Sequence, residues 1–283
     1  MSSATLIGTA DLQARLDDPS LVLIDCRHDL AKPAWGRETY ASAHIPGARF
    51  LHLDEDLSTK PNGRNGRHPL PDPLVFAQTL SRAGIGNGSE VIAYDSQGGM
   101  VASRLWWMLR HWLGHQSVAV LDGGWDAWLA ESRPVSALVP NVIVAEYSPS
   151  IAANVVDAGF VLEHLKLPGM TLIDARAPDR YRGENETMDP VGGRIPGARN
   201  RFFRDNLDAN GRFKSVQVLR QEFAALTAGA HPGNVVHQCG SGVSACHNIL
   251  AMEVAGLAGS RLYAGSWSEW CSDASRPVAR GPA

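Results

Sequence analysis

An internal repeat constrains this chain more than any other feature of its sequence. Leu21-Val-Leu-Ile-Asp-Cys-Arg27 is echoed by Thr171-Leu-Ile-Asp-Ala-Arg176, and His44-Ile-Pro-Gly-Ala48 returns as Arg194-Ile-Pro-Gly-Ala198. Val91-Ile-Ala-Tyr-Asp95 with Ser96-Gln-Gly-Gly99 returns as Val235-Val-His-Gln-Cys239 with Gly240-Ser-Gly242. Gly123-Gly-Trp-Asp-Ala-Trp128 returns as Gly265-Ser-Trp-Ser-Glu-Trp270, so four matches recur in one order at offsets of 142 to 150 residues. Chance does not produce such an ordered series, and the chain reads as a duplicated domain.

Each half reads as α/β. Short β-branched runs (Val22–Asp25, Val91–Tyr94 and Val118–Leu121, then Leu172–Asp174, Val235–His237 and Arg261–Tyr263) alternate with helical patterns at Met100–Leu113 and Ser244–Val254. Strands that are apolar throughout belong in a mostly parallel sheet covered by helices on both faces. Pro134, Pro140 and Pro149 punctuate Ser132–Pro149, which places the boundary there and gives domains of 1–138 and 139–283. Thr59–Pro73 is a long Gly/Pro/Asn-rich loop of the length that often carries function.

The bulk numbers exclude several classes. A chain of 283 residues with 44% hydrophobic and 19% charged residues is that of a packed protein rather than a disordered one. A net charge of −3 offers no footprint for nucleic acid or an acidic membrane. No targeting segment or membrane span is expected, since Asp11 and Asp17 interrupt the N-terminal stretch and the apolar runs are strand-length. The four cysteines, Cys26, Cys239, Cys246 and Cys271, form no C-x-x-C pair and no disulfide framework, which fits a reducing cytoplasm and a working thiol.

The sharpest motif is His237-Gln-Cys239-Gly-Ser-Gly-Val-Ser-Ala245. A β run ends at the cysteine, a Gly-rich turn follows and a helix opens near Ser244. That order aims backbone N–H groups of the turn and the helix N-terminus into one bowl, where a thiolate gains hydrogen bonds and a favourable dipole. The plain reading of Cys239 is a small buried hydrophobe, but the flanking glycines expose backbone instead of packing side chains. Cys246 falls on the same helical face and is expected to be packing. A phosphatase of the Cys-x5-Arg type would need an arginine where Ala245 stands. A Cys–His protease could draw on His237 or His68, yet a cysteine opening a Gly-rich turn after a parallel strand is not its signature. The first half has Asp95 at the cysteine position and cannot form a persulfide, so the catalytic copy is the second.

Together these motifs resemble the tandem-domain rhodanese family over nearly the whole chain. The loop Cys239-Gly-Ser-Gly-Val-Ser-Ala245 resembles the signature of its 3-mercaptopyruvate sulfurtransferase members, with Ser244 where a threonine is usual. Members that use thiosulfate carry a basic pair after the cysteine, where Gly240 and Ser241 stand here. The resemblance implies that Cys239 is the nucleophile, that Gly240, Gly242, Val243 and Ser244 line the donor, and that Arg180 holds the donor's anionic group. It also implies a Ser241, His68 and Asp54 relay that protonates the departing pyruvate enolate, with His68 and Asp54 drawn from the N-terminal half. Arg27 and Arg176 are expected to be structural ion-pair partners. The family's mercaptopyruvate members often carry a second substrate arginine nine residues after the first; here Met188-Asp-Pro190 is not basic, and Arg194, which replaces the histidine usual before Ile-Pro-Gly, is a candidate for its place.

The expected function is transfer of sulfane sulfur from 3-mercaptopyruvate through a Cys239 persulfide to thioredoxin, a small thiol or cyanide. Thiosulfate as donor is the alternative, and a low-turnover sulfur-relay or interaction module a second. Neither a metal nor an organic cofactor is expected, because no metal-ligand spacing occurs.

Overall fold

The computed structural model describes residues 5–165 and 167–282. The chain divides into two compact units: one from the residues up to Thr59, Leu70–Ala152 and Asp208–Phe213, the other from Lys60–Pro69, Ala153–Leu207 and Lys214 onward. Residues 139–152 thus group with the first unit, and the segment carrying His68 groups with the second.

The first unit holds β1 (Leu6–Ile7), β2 (Leu21–Asp25), β3 (Arg49–Phe50), β4 (Glu90–Tyr94) and β5 (Val118–Leu121) in the order β1-β5-β4-β2-β3. The second holds β6 (Val155–Val156), β7 (Thr171–Asp174), β8 (Arg199–Asn200), β9 (Val235–Gln238) and β10 (Arg261–Tyr263) in the order β6-β10-β9-β7-β8. Every pairing between these strands is parallel. The two sheets therefore repeat one topology. Their central strands are buried on both faces, which is why they read as unbroken apolar runs. The first core gathers Ile92, Tyr94, Trp125 and Trp128, and the second gathers Val236, Tyr263, Trp267 and Trp270.

The repeated Asp-x-Arg element ties each sheet to its neighbouring loop. Arg27 Nη2 lies 2.7 Å from Asp25 and donates to Ala43 O at 2.6 Å. Arg176 Nη2 lies 2.7 Å from Asp174 and donates to Gly193 O at 2.7 Å. Each guanidinium also lies over a tryptophan of the repeat, Trp125 at 4.2 Å and Trp267 at 4.8 Å. Removing one partner of such a buried pair leaves an uncompensated charge, so the element is structural.

Two local features depart from the sequence pattern. The helix expected over Met100–Leu113 is α-helical at Ala102–Trp107 and then π-helical at Met108–Trp112. The two-residue strands at the sheet edges are too short to leave a periodicity. Among the described residues no helix is long and apolar enough to cross a membrane.

His237 lies within β9, fully buried, with Nε2 3.2 Å from Met252 Sδ. Burial alone pushes its pKa down to about 3. The unfolded chain therefore binds a proton near pH 6.5 that the folded chain refuses, and stability present above that pH is lost as pH falls toward about 3. Buried Asp95, whose carboxyl is raised by desolvation, acts in the opposite sense, so only a difference between variants isolates the histidine. Urea titrations from pH 7 to 4 should show the wild type losing about 1.4 kcal/mol per pH unit relative to His237→Gln over much of that range. Parallel pH profiles would mean that His237 is not held neutral.

Candidate active site

Cys239 follows directly on β9, at the carboxyl end of the central strand, and the helix Ser244–Val254 opens five residues later. Its side chain is almost fully buried, and its Sγ accepts a hydrogen bond from Gly242 N at 3.2 Å. Gly242 has φ of +77°, and a Cβ there would collide with Ala264 O, so only glycine makes this turn. The loop is fastened from the other side by the start of the helix Ser266–Trp270. Trp267 N donates to Cys239 O at 3.0 Å and Ser268 N to Gly240 O at 2.9 Å.

The first unit shows what such a turn accommodates. Asp95 follows β4 as Cys239 follows β9, and its carboxylate accepts from the N–H groups of Gln97, Gly99, Val101 and Ala102 at 2.7–2.9 Å. Burial raises this carboxyl and the four donors pull against that shift. The counterparts by position in the second unit are the N–H groups of Ser241, Val243, Ala245 and Cys246, the last of which is given to Val243 O at 3.0 Å. Trp125 N donates to Asp95 O at 2.8 Å, the same clamp as in the second unit. The turn is an anion receptor in both halves, filled by the chain's own carboxylate in one and built around a thiol in the other.

Ser241 and His68 come together in the second unit. Ser241 Oγ and His68 Nδ1 are 2.6 Å apart, and both side chains are buried. Asp54 lies in the first unit, where its carboxylate is 3.8 Å from His28 Nε2 and its backbone N–H donates to His52 Nδ1 at 3.1 Å. Val243 is buried in the turn and Ser244 is the first residue of the following helix.

Arg180 projects from the short helix Pro178–Arg182 and is held by two acids. Glu186 receives its Nε and Nη2 at 2.8–3.2 Å, and Asp189 Oδ2 receives Nη2 at 3.2 Å. Burial works against the charge of Glu186, but the bonds from Arg180 keep its carboxyl below the usual range. Arg180 Nη1 lies 3.5 Å from the place a Cβ on Gly240 would take, beside the thiol loop.

Arg194 is engaged elsewhere. Its Nη1 donates to Gly281 O at 2.6 Å and Nη2 to Pro282 O at 3.1 Å, and its guanidinium lies over the Tyr181 ring at 4.6 Å. It bridges to Ala279 as His44 bridges to Ser136 in the first unit. Arg194 thus repeats the work of His44, pinning a segment that follows the last helix. The other cysteines are unsuited to attack. Burial raises the Cys26 thiol and pushes Cys271 up to about 11, and Cys246 Sγ donates to Gly242 O at 3.4 Å.

Four residues at the site escaped the sequence reading: Ser266, Arg67, Glu186 and Asp189. Ser266 Oγ accepts from Cys239 N at 3.1 Å and donates to Tyr263 O at 2.9 Å. The repeat held a signal for it, because Ser266 stands where the first half has Gly124. Arg67 pairs with Asp189, a charge exchange over 122 residues that no local motif announces.

A model of the rhodanese-like domain matches the chain twice, over residues 9–131 and 157–273. The "Probable 3-mercaptopyruvate sulfurtransferase" of Pseudomonas aeruginosa is 46% identical over 99% of this chain and 100% of that protein. The thiosulfate sulfurtransferase of Mus musculus is 33% identical over 89% of this chain and 85% of that one. Among solved structures, the 3-mercaptopyruvate sulfurtransferase from Leishmania major superposes with a TM-score of 0.83 at 27% identity, covering 94% of this chain and 74% of its own. With both halves matched and a relative aligned over 99% of this chain and all of its own length, the chain belongs to the rhodanese family as a tandem of two rhodanese-like domains.

Proposed function

We propose that this chain is a sulfurtransferase that takes sulfane sulfur from 3-mercaptopyruvate onto Cys239 and passes it to a thiol or to cyanide. The observation that carries this reading is the 2.6 Å contact of Ser241 with His68 beside the thiol loop. A keto-acid donor leaves as an enolate and needs a proton, whereas thiosulfate leaves as sulfite and needs none. The 46% identity to a protein named for mercaptopyruvate supports the same donor.

The Cys239 thiolate attacks the donor sulfur, an S–S bond forms, and the donor's C–S bond breaks with its electron pair passing into the pyruvate enolate. Ser241, in contact with His68, delivers the proton that turns enolate into pyruvate. Arg180 holds the donor carboxylate, and the N–H groups of the 240–245 turn offset negative charge on the sulfurs. An acceptor thiolate, of thioredoxin or a small thiol, or cyanide, then attacks the outer sulfur and frees Cys239. Four buried cysteines, none of them in a disulfide among the described residues, suit a reducing compartment such as the cytoplasm. The family resemblance adds Asp54 to the relay, and Asp54→Asn is the variant that tests it.

Cys239→Ser should abolish transfer, while Cys246→Ser and Cys271→Ser keep most activity. After donor treatment, mass spectrometry should find about 32 Da added to the peptide containing Cys239. Sulfur transfer persisting in Cys239→Ser would sink the central claim. Arg180→Ala removes a charge-assisted contact and should lower kcat/KM by about 2–3 kcal/mol, mainly through KM. Unchanged kinetics with both donors would make Arg180 a bystander.

Donor preference gives a third test. Steady-state rates should show a higher kcat/KM for 3-mercaptopyruvate than for thiosulfate. Ser241→Ala and His68→Ala should depress the mercaptopyruvate reaction more than the thiosulfate one. Equal losses in the two reactions, or thiosulfate as the better donor, would leave the relay without a purpose and favour a thiosulfate sulfurtransferase.

A further inference from the structure

The first unit carries no nucleophile, yet it contains a cavity of about 540 Å³, within the range of small-molecule sites. All of its lining residues belong to that unit. Three guanidinium groups reach it, from Arg37, Arg49 and Arg82, against two carboxylates, Glu55 and Asp56. The acids are already committed: Arg37 Nη2 donates to Glu55 at 2.6 Å, and Asp56 accepts from His52 N at 2.7 Å. The two remaining cations are not. Arg49 gives Nη1 to Ala83 O and Arg82 gives Nη2 to Thr79 Oγ1 at 3.1 Å, and among the described residues neither pairs with a carboxylate. Arg49 Nε is shielded from solvent and makes no hydrogen bond among the described residues. Burial lowers the Arg49 guanidinium from its ordinary value, as expected of a cation without a nearby acid.

The rest of the lining is apolar and held in place. The rings of Tyr40 and Phe50 lie 5.5 Å apart between centroids, and the Tyr40 hydroxyl is fixed by donating to Ala48 O at 2.8 Å. The segment bearing Val139 and Val142 is fastened to the helix Pro73–Arg82 by Ala145 N, which donates to Ser81 O at 3.1 Å. It passes Gly84, with φ of +71°, so closely that a Cβ there would sit 2.8 Å from Ile143 O. The second half shows that the fold alone does not produce this lining. By sheet register Arg199 of β8 stands where β3 has Arg49, and it likewise donates to a helix carbonyl, Leu226 O. The next residue, Phe50 in β3, is Asn200 in β8. Arg82 ends its helix, whereas Thr227 ends the helix Val216–Thr227. The pinning arginine is thus common to both halves, while the aromatic ring and the second cation belong to the first alone.

We propose that this cavity binds a small aromatic carboxylate, with its ring against Tyr40 and Phe50 and its carboxylate on Arg49 and Arg82. Two cations without an acid partner, beside a cavity large enough for a ligand, call for an anion. Glu55 and Asp56 at the same cavity repel a dianion more strongly than a monoanion, which favours a carboxylate over a phosphate. The Tyr40 and Phe50 rings favour a flat ring in the ligand over a chain. None of these residues takes part in the sulfur transfer proposed above, so the site is a second one.

The test is calorimetric titration of 2-naphthoate into the full chain, with 2-naphthamide as its uncharged counterpart and inorganic phosphate as an anion without a ring. The expected Kd for 2-naphthoate is on the order of 0.1 mM, with 2-naphthamide at least about tenfold weaker and no displacement by about 10 mM phosphate. Arg82→Ala should raise the Kd about tenfold, the effect of losing one charge-assisted contact, and Arg82→Lys should recover part of that loss. Phe50→Asn should raise it about fivefold through the lost ring contact, and it serves if Arg82→Ala fails to fold. Arg180→Ala should leave the Kd unchanged, because Arg180 belongs to the second unit. No binding at about 2 mM ligand, equal binding of naphthoate and naphthamide, or displacement by phosphate overturns the proposal. So does a Kd that stays the same in Arg82→Ala and Phe50→Asn, or one that rises in Arg180→Ala and thereby puts the ligand at the donor site.

Discussion

A turn of backbone N–H groups at the carboxyl end of a buried parallel strand attracts negative charge, and everything distinctive about this chain depends on how each half answers it. In the first half Asp95 answers with its own carboxylate, which reaches four N–H donors and closes the turn as finished structure. In the second half Cys239 presents a single sulfur, which accepts from Gly242 N. The strand order, the tryptophan clamp and the buried Asp-x-Arg pair are common to both. Duplication thus supplied two receptors, and a change of side chain at one position separates a turn closed on a carboxylate from one built around a thiol.

A receptor for anions inside a well-packed domain has to keep its cations in place without losing them to the protein's own acids. Around Cys239 this is done by division of each guanidinium. Arg180 gives Nε and Nη2 to Glu186 and Asp189 and turns Nη1 to Gly240, while Arg67 gives Nη1 to Asp189 and turns Nη2 to the same glycine. The acids carry little exposure, so their bonds to arginine are charge-assisted in a weakly screened setting. Arg176 is different: its Nε and Nη2 are on Asp174 and Gly193 O, and it lies over Trp267, which makes it part of the frame.

What was legible in the sequence follows from how far each signal reaches along the chain. The central strands were legible because parallel strands buried on both faces write contiguous apolar runs, and the repeat registered them twice. The two-residue edge strands were not, since pairing rather than pattern defines them. The π-helical turn at Met108–Trp112 was hidden because apolar spacing reports a buried face and not the ladder beneath it. In the site, the cysteine loop was legible as a motif, whereas the pairing of Ser241 with His68 came only from the family resemblance. Asp189 gains its partner only in three dimensions, because Arg67 lies 122 residues away and is brought over by tertiary folding. Arg194 departs from the histidine usual at its place, which makes it a candidate substrate group in the sequence, but the repeat itself, through His44, points to a structural pin.

Ser266 shows how the working half differs from its twin in energy as well as in chemistry. Gly124 takes a left-handed φ of +55° with no steric cost, and a Cβ there would meet Asp95 O. Ser266 takes a φ of +56° and carries a Cβ, a conformation that costs a non-glycine residue about 1–2 kcal/mol. Its hydroxyl meets Cys239 N and Tyr263 O, two buried hydrogen bonds worth together about 1–3 kcal/mol. The two sums nearly cancel, so stability alone does not select serine over glycine here. What the serine adds is a fixed partner for the backbone N–H of Cys239, which glycine lacks, and a residue that holds the cysteine in place belongs in the half that carries the thiol.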